Sequence, residues 1–194
     1  MSLQERVYSV LVVSAAENFN ASLKPLLPES RFSPVRFEGS VNVAKRLMLE
    51  RGYDFVVVNS PLPDEVGTRF AIDVCSSNGV VALLFVKSEL YAAAHNKVAE
   101  HGVYVLPKPI SKSVIAQALD WMIATRERLR RLEKKTVSIE EKMQEIRLVN
   151  RAKWILISEL KMTEEDAHKY IEKQAMDRCV SKREIAEDII NTYT

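Results

Sequence analysis

The sequence predicts an α/β domain with a five-stranded, doubly wound parallel sheet, followed by a long coiled-coil helix and a small all-α domain of three helices. In the first half of the chain, nearly continuous valine-rich runs alternate with helix-length segments, a pattern typical of parallel strands covered on both faces. From residue 110 onward the chain contains no glycine and no proline. A helix that begins there can therefore continue for many turns.

Five strands and four intervening helices account for the first domain. The strands are expected at residues 10–13, 35–37, 55–58, 80–86 and 103–106, and the helices at 18–27, 41–51, 68–75 and 90–100. Alternation of this kind forms a sheet with helices on both faces. The functional crevice of such a sheet lies at the carboxyl ends of its strands, so the residues after each run are the candidates for a site.

The layout of strands and helices resembles the receiver domain of bacterial response regulators, over residues 5–122. The resemblance rests on the segment from Asp54 to Asn59, on Pro63 and Gly67 after it, and on the segment 106–110. It implies a flavodoxin-like fold and a site at which an aspartate accepts a phosphoryl group beside a bound Mg²⁺.

Most of the phosphorylation chemistry that the resemblance implies is missing here. Asn59 stands at the acceptor position, Ser14 and Ala15 replace the acidic pair, and Val86 replaces the hydroxyl residue. An amide is a poor nucleophile, and a hard cation finds no carboxylate at these positions. Only Lys108 of the charged set is present, either bonded to Asn59 or facing solvent. The sequence therefore predicts a degenerate receiver (a pseudo-receiver) without metal or cofactor, which serves as a dimerisation fold or senses a partner.

The connecting helix carries apolar residues at heptad spacing. Ser111 is the expected N-cap. The residues predicted to form the seam are Met122, Leu129, Leu132, Ile139, Met143 and Ile146, and Asn150 occupies the next a position. Such a seam favours a homodimer, with parallel strands as the first expectation. The alternative is that the stripe packs on the receiver-like or output helices of its own chain.

The last part of the chain predicts a three-helix bundle. Thr163 is an expected N-cap, and Ser181 with Glu184 forms a capping box. Trp154 and Tyr170 lie on apolar stripes and are expected in the core. Cations near the helix junctions are the expected exposed set, namely Arg151, Lys153, Lys173, Arg178, Lys182 and Arg183. Phosphate contacts and arginine stacking on unpaired bases recognise RNA loops, so this set suits RNA.

Four segments in this region resemble the ANTAR domain of bacterial antitermination regulators. They are Arg151-Ala152-Lys153-Trp154, residues 162–167, residues 174–178, and Ile185-Ala186. The resemblance implies a response-regulator-like protein of two-component signal transduction that binds paired hairpins in nascent transcripts and so prevents a terminator from forming. The expected domains are a pseudo-receiver at 1–122, a coiled-coil connector at 123–150 and an RNA-binding domain at 151–194.

Composition narrows the class of protein further. The net charge of +2, from 28 basic and 26 acidic residues, argues against indiscriminate nucleic-acid coating. Two distant cysteines, three scattered histidines and the absence of a phosphate loop disfavour a zinc site and an enzyme. With no signal peptide or membrane segment, a cytoplasmic protein is expected. A sensor or regulatory protein is expected as a further partner. The remaining alternatives are a DNA-binding helix-turn-helix output, which acidic residues in the last helix disfavour, and a protein-interaction output.

Overall fold

The computed structural model describes residues 6–76 and 79–193, and the chain divides into two compact units, Met1–Arg131 and Leu132–Thr194. The first unit contains the predicted five-stranded parallel sheet, in the order β2-β1-β3-β4-β5. Its strands are β1 Tyr8–Val13, β2 Phe32–Glu38, β3 Phe55–Asn59, β4 Val81–Lys87 and β5 Tyr104–Lys108. The doubly wound α/β prediction is confirmed.

Four helices connect the strands, as predicted. They are α1 Glu17–Leu23, α2 Val41–Glu50, α3 Thr68–Cys75 and α4 Tyr91–Val98. The expected helix 18–27 ends early as an α-helix and continues as a 3₁₀ turn over Lys24–Leu26, because Pro25 has no backbone N–H to donate to the carbonyl four residues before it. Gly67 precedes α3 with a φ of 83°, and a Cβ there would lie 2.7 Å from Val58 Cγ1, so glycine fits this turn best.

Alternate residues of the strands form two cores, one on each face of the sheet. One core packs Leu11, Val56 and Leu84 against α2, α3 and α4. The other packs Val57 and Leu83 against α1 and the first turns of a long helix, α5 Lys112–Leu160. Both faces of the sheet are therefore covered, which explains why the strands are apolar on both sides.

The first residues of the predicted dimer seam belong to this second core. Met122 is 0% exposed beneath the sheet, and Leu129 packs partly against the same cluster. Assigning Met122 to a dimer seam was therefore wrong, because the heptad stripe first packs on its own domain. The later seam residues are 48–59% exposed, namely Leu132, Ile139, Met143 and Ile146.

Charged side chains fix the early part of α5 to the amino ends of β1 and β3. Asp54, just before β3, accepts hydrogen bonds from Arg126 Nε at 3.1 Å and Arg130 Nη2 at 2.7 Å. Glu127 is only 8% exposed and accepts from the Tyr8 hydroxyl at 3.1 Å. Burial by itself would raise the pKa of both carboxyls, but their hydrogen bonds and neighbouring arginines hold both pKa values below the usual range.

The second unit contains the end of α5, α6 Glu164–Arg178 and α7 Lys182–Tyr193. Its core includes Ala152 and Leu156 from α5, Ile171 from α6, and Ile185 and Ala186 from α7. The predicted caps are present, since Thr163 Oγ1 accepts from the Asp166 amide at 3.1 Å and Ser181 Oγ accepts from the Glu184 amide at 3.2 Å. The predicted long helix and small helical unit are confirmed.

Two aromatic residues expected in that core lie outside it. Trp154 is 71% exposed and Tyr170 is 39% exposed. The buried face of α5 passes through Ala152 and Leu156, four residues apart, and Trp154 lies between them on the opposite side of the helix. No helix among the described residues is long and apolar enough to cross a membrane.

Candidate nucleic-acid interface and receiver-like crevice

The carboxyl ends of β1, β3 and β5 bring three of the predicted crevice residues together. Asn59 Nδ2 donates to Ser14 Oγ at 2.9 Å, and Lys108 Nζ donates to Asn59 Oδ1 at 2.5 Å and to the Ser60 carbonyl at 2.6 Å. Ser14 and Asn59 are buried and Lys108 is half-buried. Lys108 was expected either to bond to Asn59 or to face solvent, and the structure shows the bond to Asn59.

The remaining crevice residues contribute no polar side chain. Val86 is 2% exposed within the sheet, and Ala15 is exposed beside Ser14. Burial, and secondarily the charge of Lys87, lowers the pKa of Lys108. Both ends of the Asn59 amide are hydrogen-bonded. Because these positions hold an amide, a hydroxyl and two apolar side chains, they present neither a carboxylate nucleophile nor a carboxylate ligand.

Four of the six predicted RNA-binding cations make ion pairs within the second unit. The pairs are Lys153 Nζ–Glu164 Oε1 at 3.1 Å, Arg178 Nη1–Asp188 Oδ2 at 2.7 Å, Lys182 Nζ–Glu172 Oε1 at 2.5 Å and Arg183 Nε–Glu187 Oε1 at 2.8 Å. The hydrogen bond and charge of Lys182 lower the pKa of Glu172, which keeps this carboxyl ionised. These cations therefore link and support helices as well as presenting charge.

The other two predicted cations differ in this respect. Arg151 on α5 and Lys173 on α6 are exposed, and neither has an ion pair or a side-chain hydrogen bond within residues 6–76 and 79–193. Their charge is available to a ligand without breaking an internal contact. Within the predicted set, these are the two cations best placed to meet phosphate.

The residue-by-residue prediction missed an exposed stretch of α5 around Trp154. Arg147 is exposed and, within the described part of the chain, unpaired. Trp154 lines a cavity of about 220 Å³ together with Asn150, Lys153, Ile157 and Glu164. The sequence does contain a signal for this exposed stretch, because residues 146–158 include three cations and no acidic residue.

Comparison with known proteins relates both units to bacterial regulators. Residues 138–190 match the ANTAR domain family. The chain is 27% identical over 186 residues to the transcriptional regulatory protein PdtaR of Mycobacterium tuberculosis, covering 94% of this chain and 89% of the relative.

Solved structures resemble the first part of the chain in fold. The signal receiver domain of an HD domain-containing protein from Pseudomonas fluorescens has a TM-score of 0.58 at 20% identity, covering 68% of this chain and 96% of that one. An adenylate cyclase structure from Rhodopirellula baltica has a TM-score of 0.60 at 18% identity, covering 68% and 98%. The name of the second protein implies no activity for this chain, because the two share only a fold. The chain thus carries an ANTAR domain in its C-terminal part, behind an N-terminal domain with the receiver fold, and is similar over most of its length to a transcriptional regulatory protein.

Proposed function

We propose that this protein is a cytoplasmic transcription antitermination regulator that binds hairpin RNA in nascent transcripts through its C-terminal domain. It acts as a homodimer and without aspartyl phosphorylation. The observation that carries the proposal is the match of residues 138–190 to the ANTAR domain, on a three-helix unit where Arg151 and Lys173 are exposed and have no ion pair among the described residues.

The chemistry of hairpin recognition fits this surface. Proteins recognise RNA loops by contacts to the phosphates and by stacking of aromatic or guanidinium planes on splayed bases. Arg151 and Lys173 supply phosphate contacts, while Lys153, Arg178, Lys182 and Arg183 would contact phosphate only by exchanging their carboxylate partners. Binding that holds a hairpin closed would prevent the competing terminator from pairing, which is how the protein would act on transcription.

The first domain would regulate this activity by a route other than phosphotransfer. Asn59 cannot replace an aspartate as nucleophile, and its hydrogen bonds to Ser14 and Lys108 already occupy the crevice. Availability of the RNA-binding surface would then depend on dimerisation or on a sensor or regulatory protein that contacts the receiver-like domain.

The exposed part of the heptad stripe supports the dimer. From Leu132 to Ile146 the stripe presents large apolar side chains that are about half exposed at four of its five a and d positions, and Thr136 occupies the fifth. Pairing with a second copy would remove this apolar surface from water, and Asn150 would fix the register at the next a position.

A DNA-binding output is the alternative that the experiment must distinguish from RNA binding. In α7, Ile185, Ala186 and Ile189 face the core, and the exposed positions include Glu184 and Asp188. Carboxylates on the outer face of a recognition helix would repel the phosphates that flank a major groove. This arrangement favours RNA.

The test begins with sequencing of the transcripts that co-purify with the full-length chain. A two-hairpin RNA from that set is then compared, at one fixed salt concentration, with a scrambled RNA and with duplex DNA of the same sequence. Preferential binding of the hairpin RNA is expected. Equal binding of all three ligands, or preference for the DNA, would overturn the proposal.

A further inference from the structure

Trp154 occupies an unusual place in the C-terminal unit. It follows the buried Ala152 and precedes the buried Leu156 by two residues each, which is about 200° around an α-helix. Its indole therefore points away from the three-helix core and is 71% exposed. Tryptophan is mostly buried in folded proteins, and the core of this unit is complete without it, so packing within the unit does not account for the residue.

The charge on α5 just before Trp154 is positive. Arg147 and Arg151 lie on the same face of α5, seven and three residues before Trp154, and both are exposed. Residues 146–158 include no aspartate or glutamate. Glu164, the carboxylate in the cavity beside the indole, is paired with Lys153 Nζ at 3.1 Å, so its charge is matched.

Position on the heptad distinguishes this face from the dimer seam. With Ile146 at d and Asn150 at a, Arg147 and Trp154 both occupy e positions and Arg151 occupies b. The b position points away from the partner in a two-stranded coiled coil, and e lies at the flank. A second copy would therefore bury Ile139, Met143 and Ile146 and leave this surface open to another ligand.

We propose that Trp154 is a stacking platform for an unpaired base of the RNA, and that Arg147 and Arg151 bind the phosphates next to that base. The inference rests on the proposed RNA-binding function and names the part of the RNA that this face recognises, a loop nucleotide. An exposed indole offers a flat apolar surface on which any base can stack, and the two guanidinium groups supply the charge that holds the backbone beside it.

The test uses fluorescence of the full-length chain. The sequence has two tryptophans, Trp121 and Trp154, so Trp121→Phe leaves Trp154 as the sole indole reporter. The probes are a pool of RNA hairpins with one fixed stem and randomised loops, and the same stem as a closed duplex without a loop. Hairpins are expected to quench the emission of Trp154, and the duplex is expected to leave it unchanged. Hairpin binding without quenching would contradict stacking.

Substitution then gives the size of the effect. Trp154→Ala is expected to weaken hairpin binding roughly 5- to 150-fold, the equivalent of about 1–3 kcal/mol for one stacked base. Duplex binding should stay unchanged, and Trp154→Phe should retain most of the hairpin affinity. Met176→Ala removes another exposed side chain, 78% exposed, from the same unit and should change neither affinity.

The outcomes separate this inference from the proposed function. If the wild-type chain binds hairpins no better than duplex, the RNA-loop function fails and the inference with it. If the wild type prefers hairpins and Trp154→Ala does so equally, only the stacking role fails. Equal weakening of both ligands, a lowered melting temperature, or conversion of a dimer to a monomer by Trp154→Ala would each show that the residue acts in structure or assembly instead.

Discussion

Glu127 offers a sharp test of how the long helix is attached to the receiver-like domain. Its carboxylate accepts hydrogen bonds from Arg6 Nη1 at 2.7 Å, the Tyr8 hydroxyl at 3.1 Å and Arg130 Nη1 at 2.9 Å. Glu127→Gln keeps the shape of the side chain but removes its charge, and it places an amide NH₂ where an oxygen accepts hydrogen bonds. The substitution is therefore expected to destabilise the fold.

The size of the loss follows from burial. Hydrogen bonds to a charged group contribute about 1.5–3 kcal/mol net. The Glu127 side chain is only 10% exposed, and its partners are buried, as Tyr8 is, or half-buried, as the two arginines are. Arg130 keeps its second carboxylate, Asp54 at 2.7 Å, so the loss stays below that of a fully orphaned buried charge. We expect the free energy of unfolding to fall by about 2–3 kcal/mol, which lowers the melting temperature by roughly 4–12 °C for a chain of this size.

Asp120 on the same helix provides the matched control. It pairs with Arg31 at 2.6 Å, but the side chains are 60% and 48% exposed. An exposed pair contributes about 0–1 kcal/mol, so Asp120→Asn should shift the melting temperature by less than roughly 4 °C. Thermal and urea denaturation followed by circular dichroism measure both variants. Equal shifts for the two variants, or an unchanged Glu127→Gln, would refute the argument from burial.

Four further predictions concern acid, RNA, phosphotransfer and assembly. Because the folded-state pKa values of Asp54 and Glu127 lie below their unfolded values, their stabilisation is complete above roughly pH 5 and is lost as pH falls through the folded values. Urea midpoints should therefore fall from about pH 5 downward, less steeply in Glu127→Gln, and identical pH profiles would contradict this. Arg151→Ala should lower affinity for the co-purifying hairpin about tenfold, and Arg178→Ala should lower it less because Asp188 already holds that side chain; the reverse order in a filter-binding titration would contradict the ranking. A small phosphodonor with Mg²⁺ should leave the chain unlabelled, whereas stable labelling would show that Asn59 does not abolish phosphotransfer. Light scattering should give a dimeric mass that Met143→Asp reduces to that of a monomer, and a wild-type monomer at micromolar concentration would exclude the proposed dimer.

The sheet and its helices could be predicted from the sequence because their signals are local. Valine-rich strands, the helix at 68–75 and the caps at Thr163 and Ser181 depend on residues close together in the chain. The crevice could be located for the same reason, since the ends of parallel strands meet at one edge of the sheet. The contact of Lys108 with Asn59 joins residues 49 positions apart and required the structure.

Burial along α5 could not be predicted because the sequence supports more than one buried face. Trp154, Ile155, Leu156 and Ile157 form a continuous apolar run, so helical periodicity does not select the side that faces α6 and α7. Met122 presents the same problem, since a heptad residue can pack on its own sheet as readily as on a second helix. Only the placement of the neighbouring elements decides which side is covered.

The ion pairs of the C-terminal unit bear on how the protein would tell its ligand from other polyanions. Four of the cations are already bound by carboxylates of the same chain, which compete with phosphate for them. These carboxylates are Glu164, Glu172, Asp188 and Glu187. A phosphate that engages Lys153 must displace the carboxylate that Lys153 already holds, so the phosphate contacts that make affinity depend on salt would come mainly from Arg147, Arg151 and Lys173. Weak, nonspecific polyanions would be excluded by this competition, and only a ligand that also satisfies the shape of the surface would overcome it.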